Sequence, residues 1–271
     1  EDGTIKSRFK TFDGHFVEGV LIPTELRKTA CVSSQIGCSL SCKFCATGYM
    51  ERKRNLTYDE IYDQVVLINK QAKESQGRNL SNIVFMGMGE PLLNYTNVLD
   101  AIEKITSEEG LHISAKRITV STAGIAKAIK RLGDDGAKFN LAVSLHAADD
   151  EKRNTIMPIN EHNNIEVLID AIKYFQSKCK GEVTFEYILL DGVNDTIEDA
   201  KKLVNICNQL HDVKVNVIEY NKIEQADFHK STIDTRDKFI EYLSKHRVIA
   251  NVRKSRGKDI DAACGQLANK G

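Results

Sequence analysis

Residues 37–48 read GCSLSCKFCATG and place three cysteines, Cys38, Cys42 and Cys45, in a C-x3-C-x2-C pattern. Ligands this close in sequence need a loop that wraps around a metal, and the glycines at both ends of the stretch give that loop freedom to turn. Iron–sulfur clusters are normally held by four cysteine thiolates. Because no fourth cysteine lies nearby, the pattern predicts a four-iron cluster with one iron open to a ligand from outside the protein.

Two other uses of these cysteines stay open at this point. The first is a zinc site, which typically adds a second pair of ligands such as C-x2-C or H-x3-5-H. No such pair follows residue 45. The second is a set of unrelated buried cysteines. The spacing favours the cluster over both.

The segments on either side of the loop predict a strand and a helix. Residues 29–33 form an apolar, β-branched run, as expected for a buried strand. Residues 58–73 follow the loop, and apolar residues recur at i, i+4, i+7 and i+11 from Ile61, which indicates an amphipathic helix. Thr57 and Glu60 have the spacing of a capping box at its start.

The same alternation continues along the chain and predicts an α/β fold. Further strands are expected at residues 82–88, 117–121, 141–146, 182–190, 214–220 and 248–252. Helical patterns lie at residues 98–107, 125–132, 165–177, 197–209 and 235–245. Strands that alternate with helices favour a parallel sheet. Six such units predict a partial (β/α)6 barrel of the TIM type, with a Rossmann-type open sheet as the alternative.

A hairpin precedes this pattern and divides the chain further. Residues 7–12 and 16–22 are short runs joined by Asp13-Gly14, a strong hairpin signal. We therefore expect an N-terminal hairpin extension over residues 1–28 and a partial barrel over 29–246. A C-terminal strand and loop should follow over residues 247–271.

Polar residues cluster where the predicted strands end. They are Gly87 to Glu90, Ser121 to Gly124, Ser144 to His146, and Asn221. Active sites of parallel barrels collect at the carboxyl ends of the strands. Each residue alone has an ordinary structural explanation, but together with the cysteine loop they indicate one site.

Composition limits the class of protein. The chain has 271 residues, 41% apolar, with 38 basic and 38 acidic residues. No apolar run is long enough for a transmembrane helix, and the charged start does not resemble a signal peptide. Seven cysteines without an export signal favour a reducing cytoplasm. The zero net charge is not typical of a nucleic-acid-binding protein.

Five segments together resemble the RlmN family of radical-SAM enzymes. They are CVSSQIGCSLSCKFC at 31–45, GMGEPLLN at 87–94, SLH at 144–146, MPIN at 157–160 and DIDAACGQL at 259–267. The resemblance implies methylation of C2 of adenosine, a carbon too electron-poor for ordinary methyl transfer. It also implies a [4Fe–4S] cluster held by the three loop cysteines and two molecules of S-adenosylmethionine (SAM) per turnover.

The resemblance assigns three catalytic residues. Cys264 becomes S-methylated and carries the methyl group, and a 5′-deoxyadenosyl radical activates that group. Cys31 then forms a transient disulfide with Cys264 and releases the product. Glu18 accepts the C2 proton. Without the resemblance, the residue types predict that the two cysteines are small buried side chains. They also predict that Glu18 is an exposed charged residue on a hairpin.

The remaining implied positions form the SAM pocket. Gly89 and Glu90 are expected to contact the methionine amine of SAM. The other pocket residues are expected to be Ser121, Ser144, Leu145, His146 and Asn221. The basic run at residues 253–258 is the candidate for binding RNA phosphates.

The family further implies partners and a location. The substrates would be 23S ribosomal RNA, with transfer RNA as a further candidate, and a flavodoxin-like protein would donate electrons. We expect a cytoplasmic monomer without membrane contact. The family also carries an N-terminal helical RNA-binding domain, which this sequence is expected to lack.

Three other functions are weighed against this one. A Cfr-type enzyme would methylate C8 of the same adenosine. A glycyl-radical activase or small-molecule radical-SAM enzyme would not need Cys31 and Cys264. A non-catalytic metal- or RNA-binding module would cleave no SAM.

Overall fold

The computed structural model describes residues 2–269, which form two compact units. The first unit contains residues 2–41, 45–121 and 256–269, and the second contains 42–44 and 122–255. The strands are β1 (Ile5–Lys10), β2 (Phe16–Pro23), β3 (Lys28–Cys31), β4 (Gln35–Ile36), β5 (Arg54–Asn55), β6 (Asn82–Phe85), β7 (Ile118–Thr122), β8 (Asn140–Ser144), β9 (Val183–Leu189), β10 (Lys214–Glu219) and β11 (Ala250–Arg253). The α-helices are α1 (Tyr58–Gln76), α2 (Tyr95–Thr106), α3 (Ala126–Asp134), α4 (Asp150–Ile156), α5 (Ile165–Lys178), α6 (Ile197–Cys207) and α7 (Ile233–Lys245).

The sheet of the first unit has the strand order β1-β2-β3-β6-β7. The β1–β2 and β2–β3 pairs are antiparallel, whereas β3–β6 and β6–β7 are parallel. The predicted hairpin is therefore confirmed. Its turn closes through the Thr11 N–H, which donates to the His15 carbonyl oxygen at 2.8 Å. Gly14 adopts φ +84°, which most other residues avoid.

Helix α1 begins and packs as its sequence predicts. The Thr57 hydroxyl accepts from the Glu60 N–H, and the Glu60 carboxylate accepts from the Thr57 N–H, so the capping box is confirmed. The helix ends at Gly77 in the left-handed conformation. Its apolar stripe is fully buried, and the helix lies against β2 and α2.

The sheet of the second unit has the order β8-β9-β10-β11, with every pair parallel. Parallel strands covered by helices are buried on both faces, which explains the continuous burial of β9 from Phe185 to Leu189. Helix α4 is not predicted from the sequence because seven residues are too few to display an apolar period. The Asp149 side chain caps it by accepting from the Lys152 N–H.

The predicted α/β class with mostly parallel strands is confirmed. Most of the predicted boundaries differ from the observed ones by one to three residues, and at β6 the strand ends at Phe85 instead of at residue 88. The chain turns there: the Gly87 N–H donates to the Val32 carbonyl, and the Met88 carbonyl accepts from the N–H groups of Ser34 and Gln35. None of the helices in the described part of the chain is both long and apolar enough to cross a membrane.

Candidate active site

The chain that leaves β3 toward the cysteine loop is held by two buried side chains. The Ser33 N–H donates to Gln64 Oε1 at 2.9 Å, and Gln64 Nε2 donates back to the Ser33 carbonyl at 3.1 Å. The Ser33 hydroxyl donates to the Glu18 carbonyl at 2.6 Å. Helix α1 and the hairpin thus fix the start of the loop.

The predicted SAM-amine contacts lie in a tight turn beside that loop. Gly89 has φ +91°, and a Cβ there would lie 2.4 Å from the Gln35 Cβ, so no larger residue fits. The Glu90 N–H donates to Gln35 Oε1 at 2.8 Å. The Glu90 carboxylate is buried and accepts from the Leu92 N–H at 3.0 Å. Its charge also helps to raise the pKa of Cys38, so Glu90 and Cys38 are near each other.

Two of the loop cysteines, Cys38 and Cys45, lie in the first unit, and their thiols are affected by burial and by main-chain hydrogen bonds in the same way. Burial raises the pKa of Cys38 to about 11, and the charge of Cys45 adds to this rise. Burial also raises the pKa of Cys45. Main-chain N–H groups point at both sulfurs, from Leu40 to Cys38 and from Gly48 to Cys45, and these hydrogen bonds oppose the rise. Such N–H groups stabilise thiolates.

The C-terminal tail brings Cys264 to the cysteine loop. The Ala46 N–H donates to the Gly265 carbonyl at 2.7 Å. The Thr47 hydroxyl donates to the Leu267 carbonyl at 2.6 Å. The charge of Cys264 contributes to the raised pKa of Cys45. Cys264 therefore lies beside a predicted cluster ligand although some 220 residues separate the two in sequence.

Glu18 lies under the same tail and is buried, not exposed. Only 1% of its surface is accessible. Its Oε2 accepts from the N–H groups of Ala268 and Asn269 at 2.9 and 3.1 Å. Its Oε1 lies 3.4 Å from Lys6 Nζ and accepts no hydrogen bond from the described residues. The tail that carries Cys264 is thus hydrogen-bonded to this carboxylate.

Cys31 occupies the strand next to Glu18. It lies in β3, directly opposite Val20 of β2, and its side chain is buried. Ser121, the remaining pocket residue predicted for the first unit, is a half-buried residue of β7.

In the second unit, the end of β8 presents Ser144, Leu145 and His146. His146 adopts φ +57°, and its Nδ1 accepts from the Ile188 N–H at 3.1 Å. Its ring packs edge-on against Phe44 with the centroids 4.6 Å apart. Burial, together with the charge of Arg153, lowers the pKa of His146 to about 3. The ring is therefore neutral near pH 7.

Arg153 of α4 holds the β8 end in place, and sequence reasoning missed it. Its Nε donates to the Leu145 carbonyl at 3.0 Å, and its Nη2 donates to the carbonyls of Ala123 and Ser144 at 2.8 and 3.2 Å. Its Nη1 donates to Asn160 Oδ1 at 2.7 Å. The available signal was Asn160 in the MPIN motif, whose side chain needs a buried partner.

Two further predicted residues of the second unit are placed as follows. Asn221 is the second residue after the end of β10 and is buried. Arg253, the first residue of the basic run, forms an ion pair with Glu186 at 3.2 Å.

Comparison with known proteins identifies the family. Residues 32–204 match the sequence profile of the Radical SAM superfamily. A Cytophaga hutchinsonii protein named "Probable dual-specificity RNA methyltransferase RlmN" is 62% identical over 269 residues, which cover 99% of this chain and 73% of that protein. The chain belongs to the RlmN family of radical-SAM enzymes.

Further relatives agree with this membership. A Myxococcus xanthus protein named "Dual-specificity RNA methyltransferase RlmN 2" is 45% identical over 274 residues, covering all of this chain and 72% of that protein. A solved radical SAM methyltransferase from Sphaerobacter thermophilus superposes with a TM-score of 0.94 at 43% identity, covering 97% of this chain and 77% of that one. The chain is thus a SAM-dependent RNA methyltransferase, and the Cfr-type alternative is not favoured.

RlmN-family enzymes use a [4Fe–4S] cluster and SAM, and the donors of this chain fit that requirement. The charge of Cys45 helps to raise the pKa of Cys38, and main-chain N–H groups point at both sulfurs. Hydrogen bonds to sulfur are a feature of iron–sulfur sites. Within residues 2–269, no group of three or more His, Cys, Asp or Glu side chains is placed to hold a single metal ion. Cluster ligands bind different irons and are spaced more widely than ligands of one ion, so the two observations are compatible.

Proposed function

We propose that this chain methylates C2 of adenosine in 23S ribosomal RNA, with transfer RNA as a second substrate. The observation that carries the proposal is the position of the C-terminal tail. In this position Cys264 lies beside Cys45, and the tail is hydrogen-bonded to the buried carboxylate of Glu18. A methyl carrier, a cluster ligand and a base are the groups that a radical methylation of an electron-poor carbon requires.

The cluster is held by Cys38, Cys42 and Cys45 in this proposal. When bound, the cluster and SAM supply the one-electron chemistry and the methyl group. Glu90 receives the methionine amine through a charge-assisted hydrogen bond, and Gly89 allows the main chain to approach it. The pocket is completed by Ser121, Ser144, Leu145, His146 and Asn221.

Cys264 carries the methyl group to the base, and Cys31 resolves the resulting protein–RNA bond. The Cys31 thiolate attacks the sulfur of Cys264. An S–S bond forms as the S–C bond to the RNA breaks, and the released carbon takes up a proton to complete the methyl group. Burial in β3 protects the Cys31 thiol from other oxidants. The tail hydrogen bonds from Ala46 and Thr47 hold Cys264 in place for this exchange.

Glu18 takes the C2 proton. Its Oε2 is occupied by two tail N–H groups, whereas Oε1 accepts no hydrogen bond from the described residues and has a lone pair to offer. Lys6 stabilises the negative charge from 3.4 Å. The same carboxylate thus positions the tail and serves as the base.

We further propose a cytoplasmic monomer that receives electrons from a flavodoxin-like donor. The catalytic region spans residues 29–246, with the hairpin over 1–28 and the carrier segment over 247–271. The absence of a membrane-spanning helix among the described residues is compatible with this location.

The test is an anaerobic assay on the reconstituted protein. A 23S ribosomal RNA fragment is incubated with SAM and a reductant, and its nucleosides are compared with 2-methyladenosine and 8-methyladenosine by mass spectrometry. We expect 2-methyladenosine from the wild type and at least a hundredfold less from Cys264→Ala, since removing the methyl carrier removes a covalent step.

Cys179→Ala is the matched control, because Cys179 is another buried cysteine that has no place in the proposed site. It should retain the wild-type yield. 8-Methyladenosine would assign the chain to the Cfr-type reaction instead, and undiminished product from Cys264→Ala would refute the proposed carrier.

A further inference from the structure

Arg153 is a completely buried cation whose donors are all used. None of its surface is accessible. An arginine has five N–H donors, and Arg153 makes five hydrogen bonds. The acceptors are Asn160 Oδ1 and the main-chain carbonyls of Ala123, Ser144, Leu145 and Asn163.

All five acceptors are neutral, so the charge itself is not paired. Within residues 2–269, no carboxylate lies at ion-pair distance from Arg153. The charge of Asp150 raises the pKa of Arg153, but the Asp150 Oδ1 accepts its hydrogen bonds from Asn160 Nδ2 and the Ile165 N–H. A buried charge is costly unless an opposite charge compensates it. The site therefore needs a negative charge from another source.

The source that the structure offers is Cys42. A negative charge on Cys42 raises the pKa of the Arg153 guanidinium more than the charge of Asp150 does. The chain around Cys42 is fixed on the same side, since the Lys43 N–H donates to the Ile156 carbonyl at 3.0 Å. Phe44 packs against His146. These contacts place Cys42 beside helix α4, which carries Arg153.

We propose that Arg153 is the counter-charge of the iron–sulfur centre and makes it easier to reduce. This inference rests on the proposed role of Cys42 as a cluster ligand. Reduction adds one electron from an external low-potential donor, and no bond or proton has to move. A fixed positive charge beside a ligand sulfur favours the more negative, reduced state, because net charge and surroundings set cluster potentials.

The Arg153 guanidinium also donates hydrogen bonds to the carbonyls of Ala123, Ser144 and Leu145. The test must therefore distinguish the loss of its charge from the loss of these hydrogen bonds. Arg153→Lys keeps the charge and loses most hydrogen bonds, whereas Arg153→Gln loses the charge. The measurement is the midpoint potential of the reconstituted cluster, followed by electron paramagnetic resonance during a redox titration. We expect Arg153→Gln to shift the reduction equilibrium at least tenfold, about 59 mV toward negative potential. Arg153→Lys should remain close to the wild type.

A second pair of variants leaves Arg153 in place. Leu168 Cδ1 and Arg153 Nη2 lie 3.2 and 3.3 Å from the point where a Cβ on Gly124 would be, so the two side chains are neighbours. Leu168→Glu introduces a carboxylate beside the guanidinium, and Leu168→Gln introduces the same shape without charge. We expect the glutamate variant to have a more negative potential than the glutamine variant.

The outcomes separate this inference from the proposed function. If the wild type holds no cluster, or if Cys42→Ala holds it unchanged, the ligand assignment fails. If the cluster forms but Arg153→Gln has the potential of Arg153→Lys, the counter-charge role is overturned. Equal midpoint potentials in Leu168→Glu and Leu168→Gln would also overturn the counter-charge role. If the Arg153 variants do not fold, this pair of Leu168 variants is the test of the proposal.

Discussion

At the scale of single residues, three polar side chains of the candidate site, Glu18, Glu90 and His146, are buried, and each accepts hydrogen bonds from main-chain N–H groups. Glu18 accepts from two tail N–H groups, Glu90 from Leu92, and His146 from Ile188. Burying such groups costs free energy unless hydrogen bonds compensate. Each of these side chains therefore has a fixed orientation before any substrate binds, which reduces the cost of assembling the reacting groups.

His146 predicts how stability depends on pH. Its pKa is about 3 in the folded chain because of burial and the charge of Arg153, and about 6.5 in the unfolded chain. Between these values the unfolded state binds the extra proton. The free energy of unfolding should therefore fall as the pH drops below 6.5, by up to roughly 1.4 kcal/mol per pH unit from this residue.

His146→Asn is the variant that isolates this effect. Asparagine tolerates φ +57°, and its Oδ1 can accept from the Ile188 N–H as Nδ1 does. Denaturant unfolding between pH 7 and pH 5 should show a shallower loss of stability in the variant than in the wild type. Identical slopes would mean that His146 is not protonated on unfolding in this range.

At the scale of elements, the long helices and the strand order follow from sequence patterns. The short helix and the tail contacts that hold the site in place do not. The stripe and capping box identify α1, and the alternation of elements identifies the parallel strands. Helix α4 escaped prediction because it is a short helix whose key residue, Arg153, is charged and buried. Glu18 looked exposed because a β-strand pattern cannot reveal that a distant tail covers it.

Gln64 of α1 is expected to stabilise the fold by anchoring the chain at Ser33. It lies on the buried face of the helix, three residues after Ile61, and bonds both main-chain groups of Ser33. Gln64→Met keeps the length of the side chain but leaves those two groups unpaired. We expect the free energy of unfolding to fall by roughly 1–3 kcal/mol, measured by urea unfolding. Lys70→Met on the exposed face of α1 is the control, and an equal loss there would contradict the anchoring role.

At the scale of the whole molecule, the first unit is assembled from chain segments that lie far apart in sequence. The Gly257 N–H donates to Asp2 at 3.0 Å, and the tail beyond Cys264 is held by Thr47 and Glu18. The motif DIDAACGQL identifies the tail, but no local pattern gives its docking partners. The carrier cysteine is consequently positioned by long-range contacts that form only when both ends of the chain fold together.

Thr47→Val tests whether those contacts control the carrier. The substitution keeps the shape and removes the hydroxyl that donates to the buried Leu267 carbonyl. Leaving that carbonyl unpaired costs roughly 1–3 kcal/mol, so hydrogen exchange of the amides at 262–269 should accelerate about tenfold or more if they open locally. Thr106→Val, which removes a hydroxyl bonded within its own helix, should leave this exchange unchanged. Because the tail also carries Cys264, the yield of methylated RNA should fall with the loss of protection. A tail that exchanges faster while methylation stays at the wild-type level would show that the carrier does not depend on this docking.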